Sequence, residues 1–356
     1  MTRFDDPVSV IADTEAWQAR DEYPDIRARG PLFVAAEQEP DGRWRVITSG
    51  EIAPQTSRDM LGQRFRARAK AAAEADDEEA RRAWMAGAER LDWEKVDELT
   101  VLDARFRNVR AETYIRTGPD GPEPPRPSDA DAMPVGKGRE APSRTEGFLI
   151  DPAAATGVSE GILKFDLLQF VHAVGSVPDE VRADALQAQH THPGGVLMAP
   201  NFAIVERVGD DGRWHAFSVS SETPQAARDG LELRFEGMLP ASLHPPTSKR
   251  PTGFEEWPEE IRNGMAAQSG LLKPGQRRLD HEQLRAYSVA ACRLARERLD
   301  EIRVLDRTYR VCRLERLIRV GPDGPEPPRP NDYDPEAPVE VQTEEDRARG
   351  IVYEDD

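Results

Sequence analysis

The residues of this chain best suited to chemistry are few. Six histidines and two cysteines are its only imidazoles and thiols. Two of the histidines stand one residue apart in His190-Thr191-His192-Pro193, a spacing that can hold a divalent metal when a further ligand joins them. Cys292 and Cys312 both lie in the second half and are too few for a disulfide or metal framework, so buried thiols are expected. Two Arg-Asp pairs, Arg58-Asp59 and Arg228-Asp229, fall in the first turns of expected helices. There they serve either as a structural cap and ion pair or as an anion clamp. Trp44 and Trp214 follow Asp-Gly turns and read as hairpin packing or as ligand platforms. Acidic runs such as Asp76-Asp77-Glu78-Glu79 read as solvated faces. Neither a GxGxxG turn in a strand-to-helix setting, nor a P-loop, nor a GxSxG elbow is present, so nucleotide enzymes and α/β-hydrolases lose their usual signals.

The histidine pair is similar to that of JAMM-type zinc isopeptidases, where two such histidines and a later Asp bind zinc and a Glu polarises the bound water. The rest of that pattern is missing. Pro200 stands at the family's Ser position and Ala203 at its ligand Asp. His190 and His192 are therefore read as surface histidines or an adventitious metal pair, with no cofactor expected and no catalytic residue assigned.

Behind these residues lies a duplication. The segment from Asp97 to Asp129 matches Asp300 to Asp332 without a gap, about two thirds of positions being identical. Each copy ends in the arm GPDGPEPPRP, at Gly118–Pro127 and Gly321–Pro330. Upstream, Pro54 to Phe65 is echoed from Pro224, and DGRW at Asp41–Trp44 returns at Asp211–Trp214. The offset then grows by about thirty residues, placing an insertion near 240–270 of the second copy. The expected organisation is repeat unit 1 over 1–130, a linker over 131–164, repeat unit 2 over 165–335 and an acidic tail over 336–356.

Each unit should open with a helix, Asp13–Glu22 or Asp179–Gln189, ended by Pro24 or Pro193. A β-hairpin around the Asp-Gly turn follows. The next helix starts at Pro54 or Pro224, with Thr223 as an N-cap, and in the first unit a break falls near Asp76. A second hairpin spans TVLDARFRNVRAE or RVLDRTYRVCRLE, with the GPDG turn closing it. The arm beyond favours extended polyproline II. It either packs on its own unit, through Arg126 or Arg329 pairing with a carboxylate and prolines covering an aromatic such as Trp93, or docks in a partner's groove. The linker and tail are expected to be mobile. The fold class is α+β, two homologous units each with helices on a small antiparallel sheet.

Hydrophobic residues make up 38% of the chain, charged residues 32%, and there are 30 prolines, which predicts lean cores. The net charge of -18 argues against general nucleic-acid binding, which needs clustered cations. With no apolar leader and no membrane-length run, a cytoplasmic protein is expected. The 300–332 segment, DGRW and the PQ-x-x-RD-x-L helix start resemble an uncharacterised family of actinobacterial, Streptomyces-type proteins carrying a domain of unknown function. The resemblance implies no activity and no site residue. The function expected is a non-enzymatic interaction or scaffold protein with two similar binding faces and an unidentified protein partner. The alternative is an enzyme or small-ligand binder with its site in the groove between units.

Overall fold

The computed structural model describes residues 7–210, 212–243 and 280–350. In chain order the elements begin with α1 (Pro7–Glu22), β1 (Asp25–Gln38), β2 (Trp44–Val46), α2 (Pro54–Glu74) and α3 (Glu78–Trp93). Then come β3 (Glu98–Val101), β4 (Ala104–Gly118), β5 (Gly121–Pro122), β6 (Leu149–Ile150), α4 (Val158–Leu168) and α5 (Asp179–Thr191). The remainder are β7 (Gly194–Val208), β8 (Trp214–Ala216), α6 (Pro224–Leu243), α7 (His281–Leu294), β9 (Glu301–Val304), β10 (Arg307–Gly321), β11 (Gly324–Pro325) and α8 (Val339–Ala348). The chain is thus α+β with a large antiparallel sheet. Among the described residues no helix is long and apolar enough to cross a membrane.

Two compact units form, and neither follows the order of the chain. The first gathers Met1–Glu123, Pro142–Pro200 and Leu314–Asp356; the second gathers Pro124–Ala141 and Asn201–Arg313.

In the first unit the strands run β6, β2, β1, β4, β10, β7, with β3 and β5 paired to β4. The period of two along β1 separates its faces. Ala35 turns to the cluster of Leu61, Phe65, Leu91, Val101 and Phe106 under α2 and α3, while Val34 and Ala36 turn to that of Trp44, Val46, Val109 and Ile150. Phe65 and Phe106 meet edge to face at 4.8 Å. Complete burial of Phe65 contributes about 1.5–3 kcal/mol. The helix break expected near Asp76 is present: Asp76 takes a φ of 57° and Asp77 caps α3, its carboxylate accepting from the Ala80 N–H.

The second unit repeats this plan on β10, β7 and β8, with α6 and α7 over a cluster of Phe202, Leu231, Phe235, Tyr287, Leu294 and Tyr309. Thr223 caps α6, accepting from the Ala226 N–H. Both second hairpins turn at a leucine of positive φ, Leu102 and Leu305, ahead of Asp103 and Asp306. The GPDG turn instead closes the short β4–β5 and β10–β11 pairs, because two-residue turns leave no slack to close the longer hairpin as well.

Two segments expected to lack structure have it. Residues 131–164 include a 3-10 turn (Gly138–Glu140), β6 hydrogen-bonded to β2, and most of α4. The tail forms α8, which packs on α3. Cys312 is buried, but Cys292 is exposed on α7, contrary to the expectation for it. Most of the insertion near 240–270 lies outside the described residues.

Candidate functional site

The predicted residues with the densest polar contacts are Arg58 at the start of α2 and Arg228 at the start of α6, each within its own unit. Arg58 is buried. Its Nε and Nη2 donate to Asp97 Oδ1 at 2.9 and 2.8 Å, and its Nη1 to Asp334 Oδ2 at 2.8 Å and Gln55 Oε1 at 3.2 Å. The Asp334 carboxylate also takes the Gln55 backbone N–H, 2.9 Å, and Lys95 Nζ, 3.0 Å. It therefore sits on the orphan N–H groups and positive dipole end of α2. Burial alone would raise its pKa; hydrogen bonds from Arg58 and Lys95 overcome that and lower it.

The second unit builds the same clasp. Arg228 donates from Nε and Nη2 to Asp300 and from Nη1 to Asp131 Oδ2 at 2.6 Å. The Gln225 N–H donates to Asp131 Oδ1 at 2.8 Å, and Arg298 reaches the same aspartate at 3.3 Å, in the role of Lys95. One contact differs. Asp229 accepts from the backbone N–H of Gly136 and Gly138, so the former linker is tied to α6. A Cβ on Gly138 would fall 2.3 Å from Ala226 N, so only glycine fits there. The same step of 203 residues that carries Asp97 to Asp300 carries Lys95 to Arg298 and Asp131 to Asp334.

The arms are tied down by the same chemistry. In the first unit Asp332 receives Arg110 Nε, 3.0 Å, and the Arg329 backbone N–H, 2.7 Å. Beside them Glu112 accepts from Arg110 (2.9 Å), Arg319 (3.2 Å), Arg329 (2.7 Å) and the Tyr114 hydroxyl. Burial opposes ionisation of Glu112, but Arg110, Arg329 and Arg319 hold its pKa down to about 2. Arg329 also pairs with Glu326 at 2.6 Å. In the second unit Asp129 receives Arg313 Nε, 3.1 Å, and the Arg126 N–H, 2.8 Å.

The arms thus pack internally, but not on their own repeats as expected. Asp129 and Asp131, just past the first arm, bind Arg313 and Arg228, while Arg329 of the second arm and Asp332 just past it bind Glu112 and Arg110. Trp93 remains 42% exposed.

The other predicted residues lie apart from these clasps. Trp44 is buried with Arg105 and Arg107 over its ring at 5.4 and 5.1 Å, and half-buried Trp214 lies under Arg207 and Arg310 at 4.9 and 4.8 Å. Beside Trp44 an open cleft of about 360 Å³ is lined by Arg43, Arg105, Ile150 and Asp323. Its cations are engaged: Arg43 by Asp41, Arg105 by Glu98 and Asp323. His190 and His192 end α5, bonded to Leu186 O and Thr191 Oγ1. Among the described residues no group of three or more His, Cys, Asp or Glu is placed to hold a metal.

Sequence reasoning found the arginines but missed their carboxylates. Asp97, Asp131, Asp300 and Asp334 carried a signal in being aspartate at matching repeat positions, yet Asp131 looked like linker. No curated protein and no solved structure matches the chain. A model for a family of unknown function, DUF5954, matches residues 6–335, and the chain belongs to that family.

Proposed function

We propose that the protein is a non-enzymatic interaction protein, built by tandem duplication, whose arms are internal clasps and whose docking surface is the helix pair α1 and α4. The observation carrying this is apolar exposure. Val10 and Trp17 on α1, and Val158 and Phe165 on α4, are each seven residues apart and so share a face of their helix. All four are exposed, Phe165 at 64%. α1 and α4 pack on each other, and Arg20 bridges them to Asp166 at 3.4 Å. Large exposed apolar surface on two helices that pack together fits an interaction site.

Duplication is supported by the doubled clasp and by register. Thr113 pairs with Arg316, the residue at its own position in the other copy, and Ala111–Ile318 and Ile115–Leu314 exchange under the same step. A bacterial cytoplasm is the compartment this reading adopts from the family resemblance, and two free thiols accord with it.

The test is capture from native extract with the intact protein and with Trp17→Asp and Phe165→Asp variants matched for circular dichroism. A stoichiometric partner lost from the variants supports the reading. Identical partners with all forms, or none with any, refute it.

A further inference from the structure

α1 and α4 belong to one unit and lie side by side. The Ser159 hydroxyl donates to Asp13 O at 3.2 Å, and Arg20 Nη1 reaches Asp166 Oδ2 at 3.4 Å. Asp13 to Arg20 and Ser159 to Asp166 are equal steps of seven residues, so the two helices run parallel and level with each other. Val158 then stands one residue before the level of Asp13, and Phe165 one before that of Arg20. Along the shared direction the exposed apolar groups follow the order Val10, Val158, Trp17, Phe165 and span about 14 Å at ~1.5 Å per residue. That is about two and a half helical turns, which suits the anchors that one amphipathic helix presents at i, i+3, i+4 and i+7.

The polar surface around these groups is one-sided. α1 carries Asp13, Glu15, Asp21 and Glu22 against Arg20, and α4 carries Glu160 and Asp166 against Lys164. Arg20 is itself taken by Asp166, while Asp21, Glu22 and Glu160 are exposed. An acidic rim repels a second copy of the same face and an anionic lipid surface, and it attracts a cationic partner.

We propose that α1 and α4 together bind a basic amphipathic helix of a partner protein. Its apolar side seats on Val10, Val158, Trp17 and Phe165, and its Lys or Arg side chains meet Asp21, Glu22 and Glu160. The apolar contacts supply most of the affinity, and the rim charges select the partner and speed its approach. This rests on the docking surface proposed above and adds the chemistry of its occupant.

The test uses the full chain and two labelled peptides of about 18 residues, five helical turns. Both place leucine at the spacing of one helix face; one has lysine and the other glutamate at the remaining positions. Binding is read by fluorescence anisotropy in about 0.15 M salt, each protein variant being first matched to the parent by circular dichroism. The lysine peptide should bind at least about tenfold more tightly than the glutamate peptide. Phe165→Asp adds negative charge but removes an anchor, and should weaken lysine-peptide binding by roughly tenfold or more. Asp21→Lys combined with Glu22→Lys reverses the rim at a helix C-terminus, where lysine is favoured, and should weaken it by about as much. Equal binding of the two peptides overturns the proposal. So does lysine-peptide binding that Phe165→Asp leaves unchanged, which is attraction by net charge alone. Retention on phosphatidylglycerol vesicles, or a dimer that Trp17→Asp dissociates, would assign the face to a membrane or to a second copy and overturn it too. If neither peptide binds while native extract still yields a partner lost from Trp17→Asp, the docking surface stands and the basic helix falls; with no such partner, both fall.

Discussion

Replacing Glu112 by Gln tests the buried charge cluster that holds the second arm. Glu112 ionises near pH 2 in the fold against an ordinary 4.5. At ~1.4 kcal/mol per pKa unit, the linked stability is about 3 kcal/mol. Because the folded pKa is depressed, this contribution is fully present above pH 4.5 and is lost as pH falls toward 2. Integrating between the two values gives a loss of about 2 kcal/mol on going from pH 6 to pH 3. Glu112→Gln also leaves Arg110, Arg319 and Arg329 facing a neutral amide, and breaking one partner of a buried ion set costs about 3–5 kcal/mol. Urea unfolding of both proteins at pH 6 and pH 3 reads both effects. The variant should be less stable by several kcal/mol at pH 6, with the gap to the parent closing by about 2 kcal/mol at pH 3. A variant within 1 kcal/mol of the parent at pH 6, or a gap that does not narrow on acidification, would refute the reading of Glu112 as the ionised centre of the cluster.

Arg58→Met and Arg228→Met should each cost about 3–5 kcal/mol in urea unfolding, since each strands two carboxylates. A double-mutant cycle pairing Arg58→Met with Asp334→Asn should return a coupling of about 1–3 kcal/mol, and a value near zero would deny the clasp. Phe65→Ala should lower stability by about 3–5 kcal/mol through the cavity left among Leu61, Leu91 and Phe106. Leu102→Asn and Leu305→Asn should instead each raise stability by about 0.5–1 kcal/mol in the same assay. Both leucines hold a left-handed φ that asparagine tolerates better, and both are more than two-fifths exposed, so little packing is lost.

Local chemistry made much of the fold legible. Pro54 and Pro224 mark helix starts because a first-turn residue needs no N–H. The Asp-Gly turns announce the hairpins, and Asp76 stands where the helix of the first copy breaks. What stayed hidden was set by partners distant in sequence. β6 is two residues long, too short for alternation to show, and exists because β2 offers an edge. Asp131 and Asp334 sit in polar, proline-rich stretches that locally resemble linker, and their role comes from arginines 97 and 276 residues away. Read from the sequence, a self-packed arm lies on its own unit, because an arm identical in both places carries no local sign of which receptor it meets.

That identity has a physical source. An arm with five prolines and two glycines buries little apolar area, so its position rests on Arg329 within it, paired to Glu112, and on Asp332 and Asp334 just past it, held by Arg110 and Arg58. Prolines hold the backbone extended at ~3.1 Å per residue, which keeps those charges at set intervals before they dock and reduces the entropy lost on docking. A change of spacing in either arm would move a carboxylate off a helix start or leave an arginine buried without its partner. The receptors repeat as well, Arg58 with Arg228, Arg110 with Arg313, and Asp97 with Asp300. Where the matching positions differ, the contacts differ too: Tyr114 donates to Glu112, while Leu317, 203 residues on, is buried among apolar neighbours. Each arm end is thus fixed by residues distant in the sequence rather than by the strand that leads into it, so the same charge spacing meets the same kind of receptor at both places.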